Sequence, residues 1–186
     1  MSEPTLEDRF HLIGIGGAGM SVVAELLASR GATVEGSDRE DSAVLEHLRS
    51  VGVRVFVGHE ASHVDPDSVV VVSTAIREDN PELAIARTRG QLVIHRSQAL
   101  ALAATGMRFV GVAGAHGKTS TSGMLAIALA ACGLDPSVAV GGVLPQLGTG
   151  AHLGGGDVFV AEADESDGSF LNYSPAIEIV TNVEPD

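Results

Sequence analysis

The stretch FHLIGIGGAGM, Phe10 to Met20, decides the fold. Phe10–Ile15 is a short apolar run that passes into glycines, and Met20–Ser29 (MSVVAELLAS) continues with helical character. A strand, a glycine turn and a helix in that order open a βαβ unit. Gly14, Gly16 and Gly19 match G-x-G-x-x-G, which permits a tight turn and close backbone approach. The helix N-terminus then offers unpaired N–H groups and a partial positive charge to a diphosphate. Asp38 ends the next strand, where an acidic residue often meets a ribose hydroxyl. NAD, FAD and UDP-sugars all present this diphosphate, and a turn without a ligand would show the same pattern.

Outward from that stretch, strands and helices alternate. Thr33–Gly36, Val53–Val57, Ser68–Ser73 and Leu92–Ile94 read as strands; Ser42–Ser50, Pro81–Arg89 and Ser97–Ala104 read as helices. Ser68–Ser73 (SVVVVS) is unbroken and β-branched, as in strands buried on both faces of a parallel sheet. The expected fold is α/β, a doubly wound Rossmann-like parallel sheet. Near Thr105-Gly106 the pattern restarts. Phe109–Ala113 is a strand, Ser120–Cys132 a helix, and Asp157–Ala161 and Ile177–Thr181 two more buried strands, with Gly141–Gly156 a glycine-rich connection. Residues 1–105 thus read as one domain. Residues 106–186 read as the opening part of a P-loop α/β domain, because three strands are thin for an independent sheet. The chain is expected to be a piece of a longer protein.

Composition narrows the function. The formal net charge is −13 and no basic cluster occurs, so nucleic-acid binding ranks low. No apolar run nears the ~20 residues of a membrane span, the acidic start is not a signal peptide, and Cys132 stands alone. A cytoplasmic protein is the expectation. Of eleven basic residues, Lys118 is the only lysine, and it lies in GVAGAHGKTSTS, residues 111–122.

That second glycine loop departs from G-x-x-x-x-G-K-[ST], since Val112 stands where the first glycine belongs. It keeps the parts that matter. Gly114 and Gly117 let the backbone fold into an anion nest, Lys118 reaches terminal phosphates, and Thr119 offers a hydroxyl to Mg2+. A compact ammonium suits that position better than a planar guanidinium. His116 reads as a spacer without proton chemistry. Downstream, EADESD (Glu162–Asp167) places four carboxylates at a strand end. A solvated acidic loop is the plain reading. Glu162, however, continues an apolar strand beside the loop strand and suits a Mg2+ ligand. Asp164, Glu165 and Asp167 read as substrate-positioning or structural.

Taken together, GIGGAGMS, VVVVSTAIREDNPE, GVAGAHGKTSTS, EADESDGSFL and TNVEPD resemble the Mur ligases, from about Phe10 to Asp186. The resemblance implies a three-domain enzyme of which the C-terminal domain is absent here. It also implies ATP-dependent addition of L-alanine to UDP-N-acetylmuramate through an acyl phosphate, in peptidoglycan precursor synthesis. Carried over, Gly16, Gly17, Ala18, Gly19 and Met20 would face the UDP diphosphate and Asp38 the nucleoside, with Ser73 and Thr74 near the same phosphates. Gly114, Ala115, His116, Gly117, Lys118, Thr119 and Ser120 would hold ATP phosphates. Lys118 and Glu162 would be catalytic, and Thr119 and Glu162 would hold Mg2+. Two departures stand out. Ala115 replaces the family's usual threonine, and the histidine that follows E-P-D in the family lies past Asp186. Two other readings stay open: an NAD-dependent oxidoreductase, resting on Gly14–Gly19 and Asp38, and a non-catalytic nucleotide-binding module. The first leaves the Lys118 loop unexplained.

Overall fold

A computed structural model of the chain describes residues 3–163 and 172–184. The chain divides into two compact units, Met1–Ala103 and Ala104–Asp186, each on its own sheet.

The first unit holds strands β1 (Arg9–Ile13), β2 (Thr33–Asp38), β3 (Arg54–Val57), β4 (Val69–Val72) and β5 (Val93–His95). They lie in the order β3-β2-β1-β4-β5, and every pairing is parallel. Helices α1 (Ala18–Ser29), α2 (Ala43–Ser50), α3 (Pro81–Thr88) and α4 (Arg96–Ala103) make the connections. This is the doubly wound, Rossmann-like sheet. The strand order reverses between β1 and β4, and the crevice past the carboxyl ends of those strands is where such sheets bind ligands. Phe10, Leu12 and Ile13 of β1 and Val70 and Val71 of β4 are fully buried, which explains the unbroken apolar runs. Local chemistry sets the helix starts. The Ser42 hydroxyl accepts from the Leu45 N–H, and Asn80 Oδ1 accepts from the N–H groups of Glu82 and Leu83, with Pro81 at the first position. Two features depart from the sequence reading. A 3-10 turn, Ala61–His63, fills the stretch after β3, and the central strand carries His11 fully buried.

The second unit holds β6 (Arg108–Ala113), α5 (Lys118–Ala131), β7 (Ser137–Leu144), β8 (Thr149–His152), β9 (Val158–Glu162) and β10 (Ile177–Val180). Its sheet runs β10-β6-β9-β7-β8, parallel except for the β7–β8 hairpin. Five strands, not three, are present among the described residues. The glycine-rich segment read as a connection supplies most of that hairpin. Val138, Val140 and Leu144 of β7 pack with Ala126 of α5, so the segment is part of the core. Its glycines mark close approach rather than a loop: a Cβ on Gly142 would lie 3.2 Å from Thr119 Cγ2. The second correction concerns β10, expected to be buried. Among the described residues it is an edge strand paired with β6 alone, and Ile177 and Val180 are about half exposed. Among the described residues no helix is long and apolar enough to cross a membrane.

Candidate functional site

The two glycine loops lie in different units. In the first unit, β1 delivers the chain into Gly14, whose N–H, like that of Ile15, donates to the Ser37 carbonyl at the end of β2. The loop is thereby tied to the neighbouring strand. Gly17 then caps α1 without a side-chain hydrogen bond, and no acidic residue occupies the first helical turn. An anion is left as the natural partner of that helix end.

A cavity of about 630 Å3 opens here. The structure brings Gly16, Gly17, Gly19, Met20, Asp38, Ser73 and Thr74 together on its wall, and Ala18 opens α1 between them. Ser73 and Thr74 arrive from the end of β4, across the switch point from the glycine loop. Asp38 has a further task. Its Oδ2 accepts from the Gly16 N–H at 2.8 Å and its Oδ1 from the Arg39 N–H at 2.7 Å. Each oxygen keeps a lone pair, so the carboxylate braces the loop and still has capacity for a hydroxyl.

Sequence reasoning missed Arg96. It opens α4 directly after β5, and it is the one basic residue among the described residues lining this cavity. A Cβ on Gly19 would fall 2.5 Å from Arg96 Nη1, so the guanidinium lies over the first turn of α1. A planar fork of donors above a helix N-terminus suits a phosphate. The signal was present, since Arg96 follows a strand on the far side of the switch point, but it needed the strand order to be read.

In the second unit, β6 runs into Gly114 and Gly117, both at positive φ (128° and 82°), and α5 begins at Lys118. A side chain at Gly114 would force its surroundings to shift, because its Cβ would sit 2.2 Å from Thr181 Oγ1. Thr181 and Asn182 follow β10 and brace the loop. Thr181 Oγ1 lies 2.6 Å from the His116 carbonyl, while Asn182 Oδ1 accepts the His116 N–H at 3.1 Å. The His116 side chain is exposed with its Nε2 3.8 Å from Glu184 Oε1, and its backbone N–H donates to Asn182. Lys118 Nζ donates to the Gly114 carbonyl at 2.6 Å, so the ammonium folds back over the loop. Thr119 and Ser120 are exposed on the first turn, and Ala115 lies between the two glycines.

Glu162 ends β9 directly beside β6, in register with Val112. Its Oε1 accepts the Gly141 N–H at 2.9 Å, and a Cβ on Gly141 would lie 3.6 Å from Oε2. Adjacent glycines of β7 therefore lie against Thr119 and Glu162. A hydroxyl and a carboxylate beside a phosphate nest are the hard oxygen donors that Mg2+ takes together with phosphate oxygens and water. The residues fit such an ion, although no cluster of three or more His, Cys, Asp or Glu side chains poised for a metal occurs among the described residues. Asp164, Glu165 and Asp167 lie outside the described residues.

Residues 9–108 match the family model described as "Mur ligase family, catalytic domain". The chain belongs to the Mur ligase family. The matched stretch covers the first unit and ends before the Lys118 loop, whatever the word catalytic in its description. Among relatives, the chain is 56% identical over 178 residues to the UDP-N-acetylmuramate–L-alanine ligase of Renibacterium salmoninarum, covering 96% of this chain and 38% of that protein. The ligase of the same name from Streptomyces avermitilis is 56% identical over 184 residues, covering 98% and 40%. The chain thus spans about two fifths of the length of these Mur ligase relatives. Of solved structures, the UDP-N-acetylmuramate-alanine ligase of Thermotoga maritima superposes with a TM-score of 0.83 at 34% identity, over 94% of this chain and 41% of that one. The UDP-N-acetylmuramate:L-alanyl-gamma-D-glutamyl-meso-diaminopimelate ligase of Neisseria meningitides gives 0.88 at 29% identity, over 96% and 61%.

Proposed function

We propose that this chain is the part of an ATP-dependent ligase that binds UDP-N-acetylmuramate in its first unit and ATP in its second. The parent enzyme joins L-alanine to the muramate carboxylate during peptidoglycan precursor synthesis in the cytoplasm. One observation carries the reading. Identity of 56% to ligases of that name spans 96% of the chain, and so runs through both glycine loops. Residues 1–105 are the UDP-sugar domain and 106–186 the start of the ATPase domain on this reading.

A carboxylate is a poor acyl donor at neutral pH, so it must first be activated. A muramate carboxylate oxygen attacks the γ-phosphorus of ATP, the bond to ADP breaks, and an acyl phosphate forms. The amine of L-alanine then attacks the acyl carbon, loses a proton and expels phosphate. In the first unit, the Gly16–Gly19 turn at the N-terminus of α1 and Arg96 hold the diphosphate, with Ser73 and Thr74 alongside. In the second, Lys118 leaves the Gly114 carbonyl to neutralise charge on the transferring phosphoryl group, and the loop of residues 114–120 orients it. Thr119 and Glu162 would hold Mg2+, which neutralises phosphate charge when bound. Positioning and charge neutralisation supply most of the catalysis in such reactions.

Lys118→Ala in the full-length enzyme tests this reading. ATP hydrolysis that depends on UDP-N-acetylmuramate and L-alanine is expected to fall by about a thousandfold or more, as when a phosphate-clamping cation is lost. Unchanged turnover would remove the catalytic assignment.

A further inference from the structure

The first unit contains a buried polar cluster that ligand binding does not obviously need. At its centre is Glu82, fully buried near the start of α3. One oxygen receives the Ser37 hydroxyl and lies 3.3 Å from His59 Nδ1 and 3.5 Å from His11 Nε2. The other takes His63 Nδ1 at 3.1 Å and the Glu60 N–H at 3.3 Å. His63 is itself stacked on Phe56, with ring centroids 4.3 Å apart. A carboxylate sunk this deeply is costly unless donors surround it, and here donors converge from β1, β2, the loop after β3 and the 3-10 turn.

What the cluster leads to is Ser37. This residue is fully buried, and its hydroxyl has one proton, given to Glu82. The 2.9 Å contact with His59 Nδ1 must then be accepted by the hydroxyl, which puts a proton on that nitrogen. The rotamer of Ser37 is therefore fixed from two sides. Its carbonyl, in the same residue, receives the N–H groups of Gly14 and Ile15 at 2.8 and 2.9 Å. The next residue, Asp38, receives the Gly16 N–H. The end of β2 is a two-sided clamp, with Glu82 behind it and the diphosphate loop in front.

We infer that Glu82 is a positioning residue for the sugar-nucleotide site, acting through Ser37 on the backbone of Gly14–Gly16. The inference rests on the proposed function for the identity of the ligand, but not for the mechanical coupling. The members of the network that are satisfied, the Ser37 hydroxyl and the two Glu82 oxygens, hold one another in place, and removing either residue releases the other.

The test uses Ser37→Ala, Glu82→Ala, their combination and Glu82→Gln in this chain, with two readouts. Amide hydrogen exchange of Gly14, Ile15 and Gly16 is measured without ligand, and the Kd for UDP-N-acetylmuramate is measured by calorimetry. Both alanine variants are expected to speed exchange at these amides and weaken binding about tenfold, the scale of one lost hydrogen bond to a charged group. The combination should be no weaker than the worse single variant, because both changes cut one linkage. Glu82→Gln keeps an acceptor for the Ser37 hydroxyl and should recover to within about threefold of the parent. Parent-like exchange and affinity in Ser37→Ala, or strictly additive losses in the combination, would overturn the inference. Should Glu82→Ala fail to fold, Ser37→Ala and Glu82→Gln still decide it. Failure of the unaltered chain to bind the sugar nucleotide would instead count against the proposed function, with the exchange data judging the coupling separately.

Discussion

The Asp38 carboxylate and the Gly16 N–H meet at 2.8 Å, and a Cβ on Gly16 would stand 2.9 Å from the same carboxylate oxygen. One contact thus explains both why residue 16 lacks a side chain and why the strand end needs an acid. Asp38→Ala should leave the Gly16 N–H without its acceptor and loosen the loop. UDP-N-acetylmuramate affinity is expected to drop about tenfold in a calorimetric titration, with Asp38→Asn dropping less because the amide oxygen still accepts.

Arg96 offers a sharper probe of anion binding, because it touches the loop from a different strand end. Arg96→Ala should weaken UDP-N-acetylmuramate binding by about tenfold to a hundredfold, and Arg96→Lys should restore only part of it, since the planar fork is lost. Binding of uridine, which lacks the phosphates, should respond much less. Equal effects on the two ligands would place Arg96 away from the diphosphate.

In the second unit, Gly114→Ala should be among the most damaging substitutions available. It forces a Cβ to 2.2 Å from Thr181 Oγ1 at φ 128°, a backbone region that L side chains rarely adopt. A loss of roughly 1–3 kcal/mol from the backbone alone is expected, with the clash adding to it. Denaturant unfolding of the chain measures it. Thr181→Ser keeps the hydroxyl and should be tolerated.

Stability should also vary with pH through His11. Burial opposes its charge, but Glu35 at 3.6 Å and Glu82 at 3.5 Å outweigh that and raise its pKa above the ordinary 6.5. A raised pKa means the stabilisation is complete below 6.5 and fades as pH climbs through the higher folded value. Burial likewise opposes the Glu82 charge, yet hydrogen bonds from His11 and Ser37 prevail and lower its pKa from 4.5. Its contribution is present above 4.5 and fades as pH falls through the lower folded value. His59 and His63 also face Glu82, and Arg9 and Arg54 face Glu35 from the surface. Thermal unfolding followed across this range should show a plateau between those two pH values and a decline on the alkaline side. His11→Gln should flatten the alkaline decline.

Much of this was legible in the residues. The G-x-G-x-x-G turn, the VVVV run and the Asn80-Pro81 start each carry a local cause for their structure, so the first unit could be read strand by strand. Lys118 stood out because the only lysine of the chain directly follows the second glycine of a strand-to-helix loop. What escaped reading depends on non-local geometry. Arg96 reaches the first cavity only because β5 lies beyond the switch point, and the convergence of Ser37, His59 and His63 on Glu82 depends on how distant strands and turns are brought together. The β7–β8 hairpin was missed because its glycines serve close approach to Thr119 and Glu162, which no periodicity reveals. For β10, the apolar IEIV pattern implied burial, but its place at the sheet edge is set by pairing order.

The central claim is that one chain carries two separate phosphate cradles of different specificity, and a single amide NMR titration tests it most directly. UDP-N-acetylmuramate should shift resonances of Gly14–Gly19, Ser73 and Thr74 while NAD leaves them in place, and MgATP should shift those of Gly114–Ser120. A chain in which NAD moves the first loop, or in which neither loop responds to its nucleotide, would contradict the account.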